Sequence, residues 1–171
     1  LFISSLRNDK RYFKIMKNIA SLLIGKDKSS GYPGKNVMKI NGKPSCEYGL
    51  IISNDIGIKN SFVSTDSPRI IEIAKKYKFN IIKRPKSLSQ KDSLTEDVLI
   101  HAYNCIRKVC DFEILVLLFA NNPAISINLV KKGINFFKKN KTYDSAFSVS
   151  KYNMFSPIRA RKIENNQIKP F

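Results

Sequence analysis

The sequence predicts an α/β fold, a doubly wound and mostly parallel sheet with helices on both faces. Three observations support this prediction. Apolar runs of strand length alternate with segments of helical periodicity along the chain. The apolar runs lack polar alternation, which is typical of strands that are buried on both faces. The segments between them are long enough to hold right-handed crossover helices, so most strands are expected to run parallel.

The first half of the chain contains two predicted strand and helix pairs. Residues 19–24, IASLLI, form an apolar run that predicts a buried strand. Residues 44–53 begin with proline, which suits the first turn of a helix. A second strand at 61–64 and a helix opened by Ser67-Pro68 follow. The side chains expected to face the core are Tyr48, Ile51 and Ile52 on the first helix and Ile70, Ile71, Ala74 and Tyr77 on the second.

The second half continues the same alternation. A short strand is predicted at 80–83, and Ser93-Leu94-Thr95-Glu96 resembles a capping box that opens the third helix. Residues 114–119 are the most apolar segment and predict a central strand. A helix at 126–139 and a strand at 145–150 complete the pattern. The expected buried positions are Val98, Leu99, Ala102, Ile106 and Val109 on the third helix and Leu129, Val130, Ile134 and Phe137 on the fourth.

The length and composition of the chain fit one domain. It has 171 residues, of which 43% are hydrophobic, enough for one core and too few for two comfortable domains. It begins at Leu1 and ends at Phe171 without any sign of helix closure, so we expect a fragment of a longer protein. The three cysteines match neither a disulfide framework nor a zinc site, and we expect reduced thiols.

The strong positive charge raises the question of an anionic partner. The formal net charge is +18, which would suit contact with nucleic-acid phosphates. However, lysine is spread over nearly every polar segment, whereas a nucleic-acid binder needs a basic stripe on one element. We therefore expect no nucleic-acid partner and favour a smaller anion such as a nucleotide. No apolar run approaches the ~20 residues of a bilayer span, so we expect a cytoplasmic protein without a membrane partner.

The stretch GKDKSSGYPGKN, residues 25–36, is a candidate anion-binding loop. It follows the first strand, and ligands of such sheets bind beyond the carboxyl ends of the strands. Its glycine spacing matches neither the P-loop nor the dinucleotide fingerprint. Glycine backbone N–H groups and the ammonium groups of Lys26, Lys28 and Lys35 are nevertheless able to balance a polyphosphate. A solvated, lysine-rich surface loop is the alternative interpretation.

A longer pattern extends this loop. The stretch GKDKSSGYPGKNVMKINGKP resembles the signature loop of the acylneuraminate cytidylyltransferases, the CMP-N-acetylneuraminic acid (CMP-sialic acid) synthetase family. The similarity continues in order through FVSTDSPRIIEIAKKYKFNIIKRPKSLSQKD, TEDVLIHAY, LVLLFANNPAI and DSAFSVSKYNMFSPIRARKI. It implies a cytidylyltransferase domain at 18–171 that lacks the family's C-terminal part, preceded by an unassigned basic leader at 1–17. It also implies the Rossmann-like fold of the nucleotide-diphospho-sugar transferases.

The resemblance implies a specific reaction. CTP and a nine-carbon α-keto acid sugar of the sialic, legionaminic or pseudaminic type would give a CMP-sugar and pyrophosphate, for surface glycan synthesis. Mg²⁺ is the implied cofactor, and the full-length protein is expected to form a homodimer. The sugar's anomeric hydroxyl attacks the α-phosphorus in line, so negative charge builds on the leaving pyrophosphate and must be neutralised.

Several residues match the family's functional positions. Lys35 matches the loop lysine and is the implied catalytic residue that neutralises this charge. The implied nucleotide-binding residues are Lys26, Ser29, Gly31, Asn36 and Arg84. Arg159 and Arg161 are candidates for binding the sugar carboxylate, with exposure to solvent as the alternative. The metal ligands stay unidentified.

Some matches depart from the family pattern or allow two interpretations. Lys26 stands where the family has Arg and lacks its planar fork, and Ser30 stands where the family has Lys. These departures leave a second hypothesis open, an inactive or truncated nucleotide-binding module of the same fold. Asp66 matches a family aspartate, but it is equally suited to help cap the next helix. His101, the single histidine, is predicted to be structural because it lies about two helical turns from the crevice.

Overall fold

The computed structural model describes residues 2–5, 18–27, 31–90, 92–140, 142–149 and 161–170. Strands and helices alternate through most of this range. In chain order the elements are β1 (Phe2–Ser5), β2 (Ile19–Ile24), β3 (Lys39–Ile40), β4 (Lys43–Pro44), α1 (Ser45–Ile56), β5 (Asn60–Thr65), α2 (Pro68–Lys76), β6 (Asn80–Lys83), a 3₁₀ turn (Lys86–Ser89), α3 (Thr95–Arg107), β7 (Ile114–Phe119), α4 (Ile127–Lys139), β8 (Ser145–Phe147), β9 (Arg161–Glu164) and β10 (Gln167–Pro170).

The central sheet has six strands in the order β6-β5-β2-β7-β1-β8. Strands β6, β5, β2 and β7 run parallel, whereas β1 lies antiparallel to both β7 and β8. The predicted doubly wound and mostly parallel sheet is therefore confirmed, with the predicted strand at 114–119 near its centre. Strand β1 falls in the leader to which the sequence analysis assigned no element.

The helices cover both faces of the sheet, as the apolar runs predict. Adjacent residues of a strand point to opposite faces, so Leu23 packs in the cluster that α1, α2 and α4 cover, whereas Leu22 packs in the cluster under α3. Both leucines are fully buried. The connecting loops project from the edges of this sheet. Its carboxyl edge lies where the parallel strands β2, β5, β6 and β7 end.

The prediction for the buried face of α1 was wrong in part. Tyr48 and Ile51 are half-buried, and the fully buried positions of the helix include Cys46, Gly49 and Leu50. The reason is a close approach at Gly49, where an added Cβ would lie 2.6 Å from Leu23 Cδ1. The helix therefore presents Gly49 to β2, and Tyr48 and Ile51 lie beside this contact rather than in it.

Two other core predictions were also wrong. Val109 is 70% exposed because α3 ends at Arg107, and Leu129 on α4 is 40% exposed. The capping box does not form either, since the Ser93 hydroxyl donates to the backbone oxygen of Ser87 (2.7 Å) and α3 begins at Thr95. The predicted apolar pattern of α3 therefore extended beyond the residues at which the helix begins and ends, because local hydrogen bonds set those ends.

In the described part of the chain, no helix has the length and apolar character that crossing a membrane requires.

Candidate nucleotide-binding site

A cleft of about 190 Å³ opens at the carboxyl edge of the sheet. It lies where the loops after β2, β6 and β7 meet the first turns of α3, as expected for a ligand site of a doubly wound fold. Its lining residues are Ile24, Gly25, Lys26, Lys35, Asn36, Arg84, Leu88, Ser93, Thr95, Val98, Phe119 and Asn121. Four of the predicted site residues, Lys26, Lys35, Asn36 and Arg84, are therefore brought together.

The cleft has one apolar part. Ile24 and Phe119 are paired residues at the ends of the parallel strands β2 and β7, so their side chains point to the same face. Val98 of α3 and Leu88 of the 3₁₀ turn line the same space. A flat, weakly polar group such as a nucleobase fits this kind of surface.

The rest of the cleft is cationic. Lys26, Lys35 and Arg84 line it, and no carboxylate is found among the described lining residues. Three positive charges that line a concave site with no carboxylate among its described lining residues favour a polyanionic ligand.

Arg84 is the most deeply placed of these cations. It is 8% exposed, and its Nη2 donates to the backbone oxygen of Ser64 at 2.8 Å. Its Nε is buried and has no hydrogen-bond partner among the described residues, and no ion pair joins it to a described carboxylate. Burial lowers the pKa of Arg84, and the charge of Asp66 acts in the opposite direction. A guanidinium stays protonated even so, and a bound anion would supply its missing partner.

Lys35 is positioned by a tight turn in the loop. Gly34 has a φ of +75°, a left-handed conformation that favours glycine. The carbonyl oxygen of Gly34 accepts hydrogen bonds from the N–H groups of Val37 (3.0 Å) and Met38 (2.9 Å). Lys35 follows this glycine directly, is half-buried, and lines the cleft.

Asn36 holds the loop together from inside. It is 7% exposed, and its Nδ2 donates to the backbone oxygen of Lys26 at 2.8 Å. Its own backbone oxygen accepts from the N–H of Cys46 (2.9 Å) in the first turn of α1. The nitrogen of this side chain therefore fixes the beginning of the loop, while the residue also borders the cleft.

Lys26 and Asp66 connect the loop to its neighbours. The Lys26 ammonium lies 3.5 Å from the backbone oxygen of Gln90, across the cleft mouth. Asp66 Oδ1 accepts a hydrogen bond from the backbone N–H of Asp27 at 2.9 Å. The N-cap position of α2 belongs to Ser67. Asp66 is therefore not the helix cap that the sequence allowed, and its carboxylate instead holds the loop, a contact that the sequence analysis did not predict.

Other predicted residues are not brought to the cleft by the described structure. Ser29 and Arg159 lie outside the described residues, as do Lys28 and Ser30. Arg161 begins β9, and its side chain is outside the description. No described atom comes within 4 Å of a Cβ built on Gly31. His101 does not line the cleft, and its Nε2 lies 3.8 Å from Cys105 Sγ on the next turn of α3.

Sequence reasoning missed several lining residues. Gly25 was the first residue after a predicted strand, and Thr95 stood at a predicted helix start, so their positions were available signals. Ser93 was predicted only as part of a capping box, and Asn121 only as part of a loop at the carboxyl end of a strand. Their hydroxyl and amide groups come to the cleft only because the loops after β6 and β7 converge on the same edge.

The described residues include no cluster of side chains that would hold a metal ion by itself, although Mg²⁺ often takes only one or two carboxylates and its other ligands from phosphates and water. They contain no group of three or more His, Cys, Asp or Glu side chains placed to hold an ion. Asp27 and Asp66, the acids nearest the loop, accept internal hydrogen bonds and do not line the cleft.

The replacement Gly25→Ala is expected to destabilise the fold. A Cβ there would lie 2.6 Å from Ala120 Cβ, which belongs to a rigid backbone segment, and 3.1 Å from Ile70 Cδ1. Overpacking of this kind costs about 1–3 kcal/mol of unfolding free energy, which denaturant titration measures. Gly31→Ala is the matched control, because no atom of the described residues lies within 4 Å of its Cβ, and we expect that free energy to stay unchanged. Equal stability of the two variants would contradict the packing argument.

Comparisons with known proteins agree with this geometry. The cytidylyltransferase family model matches residues 27–166. N-acylneuraminate cytidylyltransferase A of Danio rerio is 26% identical over 140 residues, which cover 81% of this chain and 32% of that protein. 3-deoxy-manno-octulosonate cytidylyltransferase 2 of Hydrogenovibrio crunogenus is 30% identical over 123 residues, which cover 71% of this chain and 47% of that protein. The chain thus spans about a third to a half of the length of these relatives.

Solved structures show the same fold. A CMP:2-keto-3-deoxy-manno-octonic acid synthetase complexed with CTP superposes with a TM-score of 0.58 at 19% identity, covering 72% of this chain and 48% of that one. A cytidylyltransferase from Leptospira borgpetersenii superposes with a TM-score of 0.57 at 17% identity, covering 72% and 50%. Because the family model spans most of the chain and the sheet is doubly wound as predicted, this chain belongs to the cytidylyltransferase family.

Proposed function

We propose that the chain is the nucleotide-binding part of a CMP-sugar synthetase, which transfers a cytidylyl group from CTP to an acidic keto sugar. The observation that carries this proposal is the cleft with Lys26, Lys35 and Arg84 and no described carboxylate. A triphosphate is the natural ligand of such a set of cations. The adjoining apolar part, with Leu88, supplies a surface for a base.

The family membership supports cytidine as the nucleoside. Both curated relatives are named as cytidylyltransferases of acidic sugars, and one solved relative is complexed with CTP. In the proposed reaction the anomeric oxygen of the sugar forms a bond to the α-phosphorus, and the bond from that phosphorus to the bridging oxygen of pyrophosphate breaks. The hydroxyl proton leaves to solvent. Lys35 balances the charge that develops on pyrophosphate, while Arg84 and Lys26 orient the nucleotide.

A more specific part of the proposal concerns which acidic keto sugar is the substrate. The two curated relatives are named for different acidic sugars. From the stated resemblance we favour a nine-carbon α-keto acid of the sialic, legionaminic or pseudaminic type, used for surface glycans. Arg159 and Arg161 are proposed to meet its carboxylate. A cytoplasmic location, a homodimer of the full-length protein and Mg²⁺ as cofactor belong to the same proposal, and chelation with EDTA tests the last.

Pyrophosphate release tests the proposed reaction. The full-length gene product is incubated with CTP and each of a panel of acidic keto sugars, including 3-deoxy-manno-octulosonate, and pyrophosphate is measured. We expect release that depends on both CTP and one of the nine-carbon sugars. Release with 3-deoxy-manno-octulosonate alone would contradict the nine-carbon assignment, and no release with any sugar would contradict the synthetase proposal.

The alternative is a nucleotide-binding module without turnover. Lys26 in place of Arg and Ser30 in place of Lys both weaken the phosphate site relative to the family pattern. Saturable CTP binding by calorimetry without pyrophosphate release would favour this alternative. Salt-dependent binding of DNA or RNA without CTP binding would contradict both.

A further inference from the structure

We propose that Asp66 and Ser67 are positioning residues that sort two opposite charges of the loop, directing Lys26 into the cleft and Asp27 away from it. Asp66 and Ser67 together are called the clamp below. The proposal rests on the proposed nucleotide-binding function, because it concerns how the loop presents a cation to a polyphosphate. It concerns residues that do not touch the ligand and act through Lys26 and Asp27.

Three successive residues of the loop are each held by a different partner. The N–H of Gly25 donates to the backbone oxygen of Ser64 at 3.3 Å. The backbone oxygen of Lys26 accepts from Asn36 Nδ2, and the N–H of Asp27 donates to Asp66 Oδ1. The backbone at the start of the loop is therefore fixed before any ligand binds, which lowers the ordering cost of binding.

The second contact of the clamp fixes a side chain. The Ser67 hydroxyl donates to Asp27 Oδ1 at 2.7 Å. This places the Asp27 carboxylate at the amino end of α2, where a negative charge is favoured by the helix dipole. Lys26 lines the cleft and Asp27 does not. Two neighbouring residues of opposite charge are thus directed to different sides of the loop.

The hydroxyl of Ser67 does not make the hydrogen bond that is usual for a serine at a helix N-cap. Serine at an N-cap normally accepts a hydrogen bond from a helix N–H, but Ser67 makes no side-chain cap bond. Ser126 occupies the same position on α4 and does accept, from the N–H of Leu129 at 3.2 Å. The difference between these two serines indicates that Ser67 serves the loop rather than its own helix.

The charge-sorting step is tested by a rescue experiment on CTP binding. In Ser67→Ala the Asp27 carboxylate is released and is free to turn toward the phosphates, so we expect the Kd for CTP to rise about tenfold. The double variant Ser67→Ala with Asp27→Asn removes the released charge, and we expect the Kd to return to within about twofold of the parent. Ser126→Ala, which loses a true N-cap, lowers the unfolding midpoint and leaves the Kd unchanged.

Two results would overturn charge sorting. One is a Ser67→Ala variant that binds CTP as tightly as the parent. The other is a double variant that binds as weakly as Ser67→Ala, since the loss of affinity would then not come from the released charge of Asp27.

The backbone contact of the clamp is tested without any ligand. Hydrogen exchange of the Asp27 amide in the ligand-free chain should accelerate in Asp66→Ala and stay slow in Asp66→Asn, whose Oδ1 still accepts. Asp144→Ala is the control, because Asp144 is an exposed acid that directly precedes β8. Unchanged exchange in Asp66→Ala would overturn the clamp. If the parent chain fails to bind CTP, the proposed function fails, and this exchange result still decides whether the clamp exists.

Discussion

Lys35→Met lowers kcat/KM for CTP-dependent pyrophosphate release by about 100-fold or more, which is the effect of removing one preorganised charge stabiliser. The ammonium is half-buried at the cleft, and the residue follows the left-handed Gly34, so the turn fixes where the charge lies. Methionine keeps the length of the side chain and removes its charge. The loss is therefore expected in kcat more than in KM, because the charge on pyrophosphate develops during the reaction.

Lys59→Met is the matched control for this variant. Lys59 is an exposed lysine that precedes β5 and does not line the cleft. Its replacement removes the same charge from the molecule and should leave both kinetic constants unchanged. If Lys35→Met and Lys59→Met lose activity equally, the effect comes from the net charge and not from the site. Near-parent activity of Lys35→Met would remove Lys35 from the proposed mechanism.

Arg84→Met weakens CTP binding by about 100-fold without lowering the stability of the ligand-free fold. The residue is 8% exposed, its Nε has no hydrogen-bond partner among the described residues and no ion pair joins it to a described carboxylate, so burying it costs free energy that a bound phosphate would recover. Charge-assisted bonds of this kind are worth about 1.5–3 kcal/mol. After the replacement, the backbone oxygen of Ser64 still accepts a hydrogen bond from the N–H of Gly25. The replacement therefore creates no new unpaired acceptor.

Calorimetry gives the Kd, and thermal unfolding gives the stability of the ligand-free variant. Arg69→Met is the control, because Arg69 is an exposed arginine of α2 and does not line the cleft. For Arg84→Met we expect weaker CTP binding together with an equal or higher unfolding midpoint. A large drop in the midpoint together with unchanged CTP affinity would show that Arg84 is a structural cation.

The fold was predictable because its strands are buried on both faces. The runs at 19–24 and 114–119 are almost wholly apolar, and each became a strand of the predicted length beside the other. What failed were details that depend on contacts between elements. The face of α1 depends on a glycine that faces Leu23, and the start of α3 depends on where the Ser93 hydroxyl finds an acceptor. A helical period by itself contains neither piece of information.

The site was predictable to a similar extent. Residues matched through the family resemblance, such as Lys35 and Arg84, do line one cleft, because the carboxyl ends of parallel strands share an edge. The role of Asp66 stayed open between a match to a family aspartate and a helix cap, and neither interpretation included the contact with the loop that the structure shows. Its partner, the N–H of Asp27, lies 39 residues earlier in the chain.

By itself the sequence determined the fold class, the position of the candidate loop and the family, because apolar periodicity and short sequence patterns are local properties of the chain. The tertiary structure decided which charges share the cleft and which are turned away from it. Lys26 and Asp27 are neighbours in sequence, yet the first faces the cleft and the second binds Ser67. That separation depends on hydrogen bonds from another strand and helix, and such bonds exist only after the sheet has brought the loops together.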